Sequence, residues 1–201
     1  MDDHGVPAGP RSRPRSSAQP SDAACRWWWT CSARRWRRST TSPRGKIVRD
    51  IKPDNIFITR DSIDRRIVIV KLIDFGVSRN LETDEPTEQI AGDPLYMAPE
   101  QTAYRARFDH RVDLYALGMS FYESLTGRHP FQDRLDEPVE SLLRMQIERD
   151  PEPPSSVLPP GPPRQVDAID AFFAKACAKD PARRFQDARA MRHAMRRLLD
   201  P

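Results

Sequence analysis

The sequence predicts a mainly α-helical fold with a small β element near its start, confined to residues 46–201. Three observations predict it. All four Trp (Trp27, Trp28, Trp29, Trp36) fall within residues 1–45, which hold no Leu, Ile, Phe or Tyr and a single Val, Val6. Two short β-branched runs follow between residues 56 and 73. Beyond them lie four apolar or amphipathic stretches of helical length, each bounded by Gly, Pro or a polar turn.

The charge divides at the same place. The 201 residues carry a net charge of +4 and 31% of them are charged, with a pI near 9.2. Residues 1–45 hold nine Arg against three Asp, a net +6, whereas residues 46–201 hold 24 basic and 26 acidic residues, a net −2. The basic character therefore belongs to the first segment and does not point to a nucleic-acid partner for the rest. Rich in Pro, Ser, Arg and Ala, that segment cannot bury enough apolar surface to offset the entropy of ordering it, and it is expected to be disordered. The residues that follow are numerous and apolar enough to bury a sizeable core.

Several classes are excluded. No run of 18 apolar residues predicts a membrane span, and no apolar stretch near the start predicts a secretory leader. Cys25, Cys31 and Cys177 are too few and too scattered for a disulfide framework, and the first two are poorly spaced for zinc. A reducing, cytoplasmic setting is expected.

The elements follow in order. Ile47-Val48 is a short apolar pair. Residues 56–59 and 67–73 predict two strands, the second β-branched and bounded by charges. Residues 77–97 lack periodicity and read as a long loop, a feature often functional in compact domains. Residues 112–126 are apolar nearly all round, which predicts a buried helix, with Gly127 as its stop. Residues 138–148 predict an amphipathic helix that opens on Pro138. Residues 151–163 contain seven Pro and are excluded from helix and central strand. Two further helices are predicted over 164–179 and 187–199. In the last, Ala188, Met191, Met195 and Leu198 form one stripe, with Arg189, Arg192, Arg196 and Arg197 elsewhere.

The chemistry is concentrated in residues 49–55, Arg-Asp-Ile-Lys-Pro-Asp-Asn, and in Asp74-Phe75-Gly76 after the second strand. Phosphoryl transfer needs a carboxylate near the attacking hydroxyl, a cation near the moving phosphoryl group and oxygen ligands for magnesium. Asp50, Lys52, Asn55 and Asp74 are chemically that set. With Gly92-Asp93-Pro94-Leu95-Tyr96-Met97-Ala98-Pro99-Glu100, Asp113 through Gly118, and Asp180-Pro181 through Arg184-Phe185, these motifs stand in the order found in a protein kinase. Residues 46–201 resemble the C-terminal lobe of a serine/threonine protein kinase of the bacterial, eukaryotic-like type.

The resemblance implies roles. Asp50 orients or accepts the substrate hydroxyl proton, and Lys52 steadies the phosphoryl group and favours Ser/Thr substrates. Asn55 and Asp74 bind Mg2+ with ATP as phosphoryl donor. Glu100 pairs with Arg184, and Asp113 anchors the catalytic loop. Residues 77–91 form the activation segment, where phosphorylated Thr83 or Thr87 would pair with Arg49. Ser78 is its only Ser. Partners are protein substrates, with no nucleic acid and no membrane. No sensor or membrane region is expected after the lobe.

Three departures stand out. The family clamps ATP with a glycine-rich loop, a strand Lys and a helix Glu, and residues 1–45 contain no G-x-G-x-x-G, no Lys and no Glu, so the N-terminal lobe is expected to be missing. Val48 stands where the family usually has His. Asp93 stands where it commonly has Thr; a carboxylate there pairs with Lys52 and repels Asp50. An out-of-frame reading of a GC-rich gene, a truncation or gene decay would each produce such a first segment. Translating the upstream DNA in three frames tests the frameshift, which fails if no frame yields a glycine-rich loop followed by a strand Lys.

Two readings compete: an active kinase, impaired by truncation, and a non-catalytic remnant that binds proteins. A third makes the Arg/Trp segment a single-stranded nucleic-acid arm, disfavoured by the net −2 of the remainder. The proline-rich stretch reads as a connector rather than a polyproline ligand, and the Arg face of 187–199 as a solvated one.

Overall fold

The computed structural model describes residues 46–65, 68–74, 79–80, 92–104, 106–158 and 163–199. The expected disorder of residues 1–45 lies outside the described residues, as do Phe75, Gly76, Ser78, Thr83 and Thr87. Within the described residues the chain is mainly helical with a small β element.

Strand β1 (Lys46–Ile47) pairs antiparallel with β4 (Arg79–Asn80), Lys46 opposite Asn80 and Ile47 opposite Arg79. This pair interrupts the long loop expected over residues 77–97. A two-residue bridge has no period for a sequence pattern to show. Strand β2 (Ile56–Arg60) pairs antiparallel with β3 (Val68–Leu72), from Ile56 opposite Leu72 to Arg60 opposite Val68. Their connection opens on Asp61, whose Oδ1 accepts the N–H groups of Ile63 and Asp64 at 2.9 and 3.1 Å. A short carboxylate offers the chain a turn in this way.

Helix α1 (Arg111–Thr126) has no exposed residue, which is why its sequence is apolar on every face. Gly127 ends it with φ 75° and returns its N–H to Glu123 O at 2.9 Å. Helix α2 (Val139–Glu148) follows Pro138, whose carbonyl accepts from Ser141 and Leu142. It buries Leu142, Met145 and Gln146 and exposes Val139 and Ile147.

Helix α3 (Pro163–Ala176) corrects the exclusion of residues 151–163 from helix. Pro163 is its first residue, a place where the missing N–H had no partner to lose. A single 3-10 turn, Pro154–Ser156, also lies in that stretch. The helix stops three residues short of the expected end. Asp180 precedes Pro181 and is extended, at φ −75° and ψ 119°.

Helix α4 (Ala188–Leu199) buries Met191 and half-buries Met195 and Leu198, with its four interior Arg in solvent. Ala188 is exposed, contrary to the predicted stripe, because it sits at the open end of the helix; Ala194 takes its place. The core runs from Ile47 and Ile51 through Tyr115, Met119 and Tyr122 to Phe173 and Met191. Gly118 lets α1 and α3 close on each other. A Cβ there would lie 2.9 Å from Ala176 Cβ and 3.0 Å from Cys177 Sγ.

Candidate active site

Residues 48–55 run between β1 and β2, and the core holds them from beneath through Ile47, Val48 and Ile51. The loop is tied to α1 by Asp113. Its Oδ2 accepts the N–H of Val48 at 2.9 Å and its Oδ1 that of Arg49 at 3.0 Å. Val48 thus fills apolar space while its main chain makes the tie. Burial pushes the Asp113 carboxyl above the usual carboxylate value, against the pull of those two N–H groups. Arg49 holds φ +67°, left-handed backbone for a residue with a Cβ. Its guanidinium carbon stands 4.9 Å from the centre of the Phe108 ring. Gly92 packs closely against its carbonyl: a Cβ on Gly92 would come 2.7 Å from Arg49 O, and Gly92 has φ +119°.

On that frame the polar side chains converge. Asn55 Nδ2 donates to Asp50 O at 2.9 Å and to Asp50 Oδ2 at 2.8 Å. Lys52 Nζ lies 3.4 Å from Asp50 Oδ1 and 3.5 Å from Asp93 Oδ2. Burial draws the Lys52 ammonium down, but the carboxylates of Asp93 and Asp50 outweigh it, and the net shift is upward. Lys52 is therefore held between two acids. Asp93 divides its oxygens: Oδ2 faces Lys52, while Oδ1 accepts Leu95 N–H at 3.2 Å.

Asn55 directly precedes β2, and Ile73 N–H donates to Asn55 O at 3.0 Å one position beyond the end of β3. The hairpin register therefore brings Asn55 and Asp74 to one end of the ladder. Asp74 is exposed and has φ +61°. Because Asn55 commits both amide hydrogens to Asp50, its Oδ1 is the atom left for a hard cation. An amide oxygen and a carboxylate are donors that suit Mg2+. Among the described residues no group of three or more His, Cys, Asp or Glu gathers around a metal position.

Beyond Asp93 the chain turns, with Tyr96 and Met97 N–H donating to Asp93 O at 3.0 and 3.2 Å. Pro94 and Leu95 turn their carbonyls inward onto side chains. Gln146 Nε2 reaches Pro94 O at 3.1 Å and Leu95 O at 2.7 Å. His129 Nε2 lies 3.1 Å from Leu95 O, and His129 Nδ1 accepts Phe131 N–H at 3.1 Å, which puts the ring proton on Nε2. Tyr115 hydroxyl donates to Gln146 Oε1 at 2.7 Å, and Lys179 Nζ donates to Gln146 O at 2.7 Å. Burial pulls the Lys179 ammonium down to about 8, only partly opposed by Asp150. Tyr96 hydroxyl bonds Glu123 on α1.

Glu100 and Arg184 close the structure. Arg184 Nη1 and Nη2 meet the two Glu100 oxygens at 2.6 and 2.8 Å. Its remaining donors reach the carbonyls of Ala178 (2.6 Å), Lys179 (2.9 Å) and Arg111 (3.3 Å). The guanidinium lies 4.8 Å from the Tyr115 ring centre and is 1% exposed.

Of the residues singled out from sequence, Asp50, Lys52, Asn55 and Asp93 form one cluster and Asp74 joins its edge. Asp113 and Arg49 lie directly beneath, and Glu100 with Arg184 lies apart as a pair. Thr83 and Thr87 lie outside the described residues. Gln146, His129, Lys179 and Glu123 went unmarked. No spacing in the sequence links Gln146 to carbonyls 51 and 52 positions away.

Residues 44–195 match the family model described as protein kinase domain. Over 159 residues, 78% of this chain and 22% of the relative, the sequence is 40% identical to serine/threonine-protein kinase Pkn1 of Myxococcus xanthus. Over 155 residues, 74% of this chain and 22% of the relative, it is 39% identical to serine/threonine-protein kinase PknB of Mycolicibacterium smegmatis. The chain spans about a fifth of the length of these curated relatives. No described helix is long and apolar enough to cross a membrane. With the family model covering well over half of the chain, this protein belongs to the protein kinase family, as a member of its bacterial, eukaryotic-like serine/threonine branch.

Proposed function

We propose that the chain serves ATP-dependent phosphoryl transfer to Ser or Thr hydroxyls of protein substrates. The observation that carries this reading is the cluster of Asp50, Lys52 and Asn55, with bonds of 2.8 to 3.4 Å among them. Asp50 accepts the hydroxyl proton as the substrate oxygen bonds to the γ-phosphorus. The bond from phosphorus to the bridging oxygen breaks, and ADP leaves with the electron pair. Asn55 fixes the Asp50 carboxylate through Oδ2 and leaves Oδ1, beside Lys52, to accept the proton. Lys52 offers positive charge to the moving phosphoryl group. Asn55 and Asp74 would hold Mg2+, which supplies charge neutralisation at the phosphates when bound. The change of composition and charge near Lys46 supports a division there, with the lobe over residues 46–201 and a separate segment over 1–45; the family match begins at residue 44.

A second reading, a non-catalytic member that acts by binding proteins, draws on Asp93. Its carboxylate stands 3.5 Å from Lys52 Nζ and claims part of the charge that transfer needs. A radiolabelled-ATP assay on the 201-residue chain, with Mg2+ and a generic protein substrate, separates the two. Incorporation that Asp50→Ala abolishes supports transfer. No incorporation by the parent, or incorporation that persists in Asp50→Ala, overturns the assignment of Asp50.

A further inference from the structure

We propose that Gln146 is a positioning residue of the 93–97 loop, acting through Asp93 on Lys52. The carbonyls of Pro94 and Leu95 belong to no helix or strand, both residues are half-buried, and carbonyls turned away from water need donors. One carboxamide serves both, at 3.1 and 2.7 Å, from a residue that is 0% exposed. Its orientation is not free. Tyr115 hydroxyl, itself buried, donates to Oε1, so the amide nitrogen must face the carbonyls. Lys179 holds the main chain of the same residue through Gln146 O, and its ammonium stands 5.5 Å from the Phe131 ring centre. His129 adds a second donor to Leu95 O.

This network draws on α1, α2, the 129–131 segment and the turn after α3, so it is rigid from several directions at once. The loop it grips is short. Asp93 is bonded to Pro94, and its side chain is set by its own bond to Leu95 N–H. A shift of Pro94 by an ångström would carry Asp93 Oδ2 out of the 3.5 Å contact with Lys52 Nζ. Gln146 therefore fixes the distance between Asp93 and Lys52, although it touches neither. Its catalytic consequence rests on the proposed function; its structural consequence does not.

The test is amide hydrogen exchange on the full chain, comparing Gln146→Met with the parent. Methionine keeps the volume and removes every side-chain bond. The N–H groups of Tyr96 and Met97 report the loop, and those of residues 115–122 report α1. Exchange at Tyr96 and Met97 should rise about tenfold, the equivalent of one lost hydrogen bond, while α1 stays within about twofold. Unchanged exchange at the two loop amides overturns the proposal. Equal acceleration in α1 also overturns it, since Gln146 would then be a general core residue. Tyr115→Phe frees the carboxamide to turn without removing it, and it should accelerate the same two amides; no change there counts against the proposal as well. In phosphoryl transfer, Gln146→Met loosens the hold of Asp93 on Lys52, so it should raise kcat by up to about fivefold and leave KM for ATP in place. A parent that transfers no phosphate refutes the function and leaves the exchange result to decide the role of Gln146.

Discussion

Asp113 accepts the main-chain N–H of Arg49 at 3.0 Å, and Arg49 is held at φ +67°. A residue with a Cβ in this sparsely populated backbone costs about 1–3 kcal/mol and stays there only where its surroundings impose it. Here the carboxylate on α1 imposes it, with a second bond to Val48 N–H, and sets the direction in which Asp50 leaves the loop. Asp113→Asn keeps the size but leaves one acceptor oxygen, and it turns an amide donor toward a main-chain donor. We expect a loss of about 2–4 kcal/mol in urea unfolding, with transfer activity lost in step. Unfolding unchanged from the parent would show that the loop holds its shape without this carboxylate.

The Glu100–Arg184 pair predicts a larger effect. All five guanidinium hydrogens have acceptors, and the side chain is wholly buried. Removing one partner of a buried ion pair leaves a charge without compensation, so Glu100→Gln should cost about 3–5 kcal/mol. Arg184→Lys should cost a similar amount, since an ammonium can neither bridge both oxygens nor lie flat on Tyr115. A double-mutant cycle checks the coupling, and additive losses would show that the two residues act separately.

The contrast between these sites and the Gln146 network marks how far the sequence is legible. The β2–β3 hairpin, α1 and the loop of residues 49–55 are local, and β-branched runs, an all-apolar helix and an acid-base-amide cluster are visible in a linear string. Gly127 is legible for the same reason, because a left-handed helix stop favours Gly. Gln146 on an amphipathic helix reads as one more polar residue, and its burial depends on carbonyls from a distant turn. Asp74 and Arg49 are legible through their motifs, but their positive φ is not, since a linear string does not show the contacts that impose it. Pro163 shows the opposite error. Proline density argued against helix, whereas proline's position within the helix decided the outcome.

Two glycines are expected to differ in how they fail. In Gly118→Ala the new methyl meets side chains, Ala176 Cβ at 2.9 Å and Cys177 Sγ at 3.0 Å, which can shift. A cost of about 1–3 kcal/mol is expected, with partial recovery in the Gly118→Ala, Ala176→Gly double variant. In Gly92→Ala the methyl meets Arg49 O at 2.7 Å, on backbone fixed by Asp113, at a φ of +119°. No second-site side-chain truncation should recover it. Thermal unfolding of these variants makes the comparison, and recovery of Gly92→Ala by Met97→Ala would contradict this account.

Tyr122 is buried on α1 with its ring edge-on to Phe173, and its hydroxyl finds no partner among the described residues. A buried hydroxyl without a bond costs about 1–3 kcal/mol, so Tyr122→Phe should be neutral or stabilising by about 1 kcal/mol. The pH dependence gives a second check. Burial pushes this phenol up to about 12, with Glu152 and Asp170 adding to the shift and Arg128 opposing it. Between pH 10 and 12 the unfolded chain therefore loses the Tyr122 proton before the folded one does. The folded state then binds more protons, and stability falls as pH rises through that window. Tyr122→Phe removes this contribution, so the stability difference between variant and parent should widen above pH 10. A gap that is constant with pH would mean that Tyr122 is wetter than its surroundings imply.

Asp93 gives the prediction that bears most directly on activity. Lys52 is shared between Asp50 at 3.4 Å and Asp93 at 3.5 Å, with all three side chains partly open to water. Replacing Asp93 by Thr keeps an oxygen able to accept Leu95 N–H and removes one negative charge beside the phosphoryl path. A unit charge about 4 Å away is worth about 1 kcal/mol even at the dielectric of water, which converts to roughly fivefold in rate. Asp93→Thr is therefore expected to raise phosphoryl transfer by about that factor. Asp93→Asn, which keeps the shape and loses only the charge, should raise it as well. A rise in Thr alone would assign the effect to the hydroxyl, and a fall in both would make Asp93 a supporting partner of Lys52 rather than its competitor.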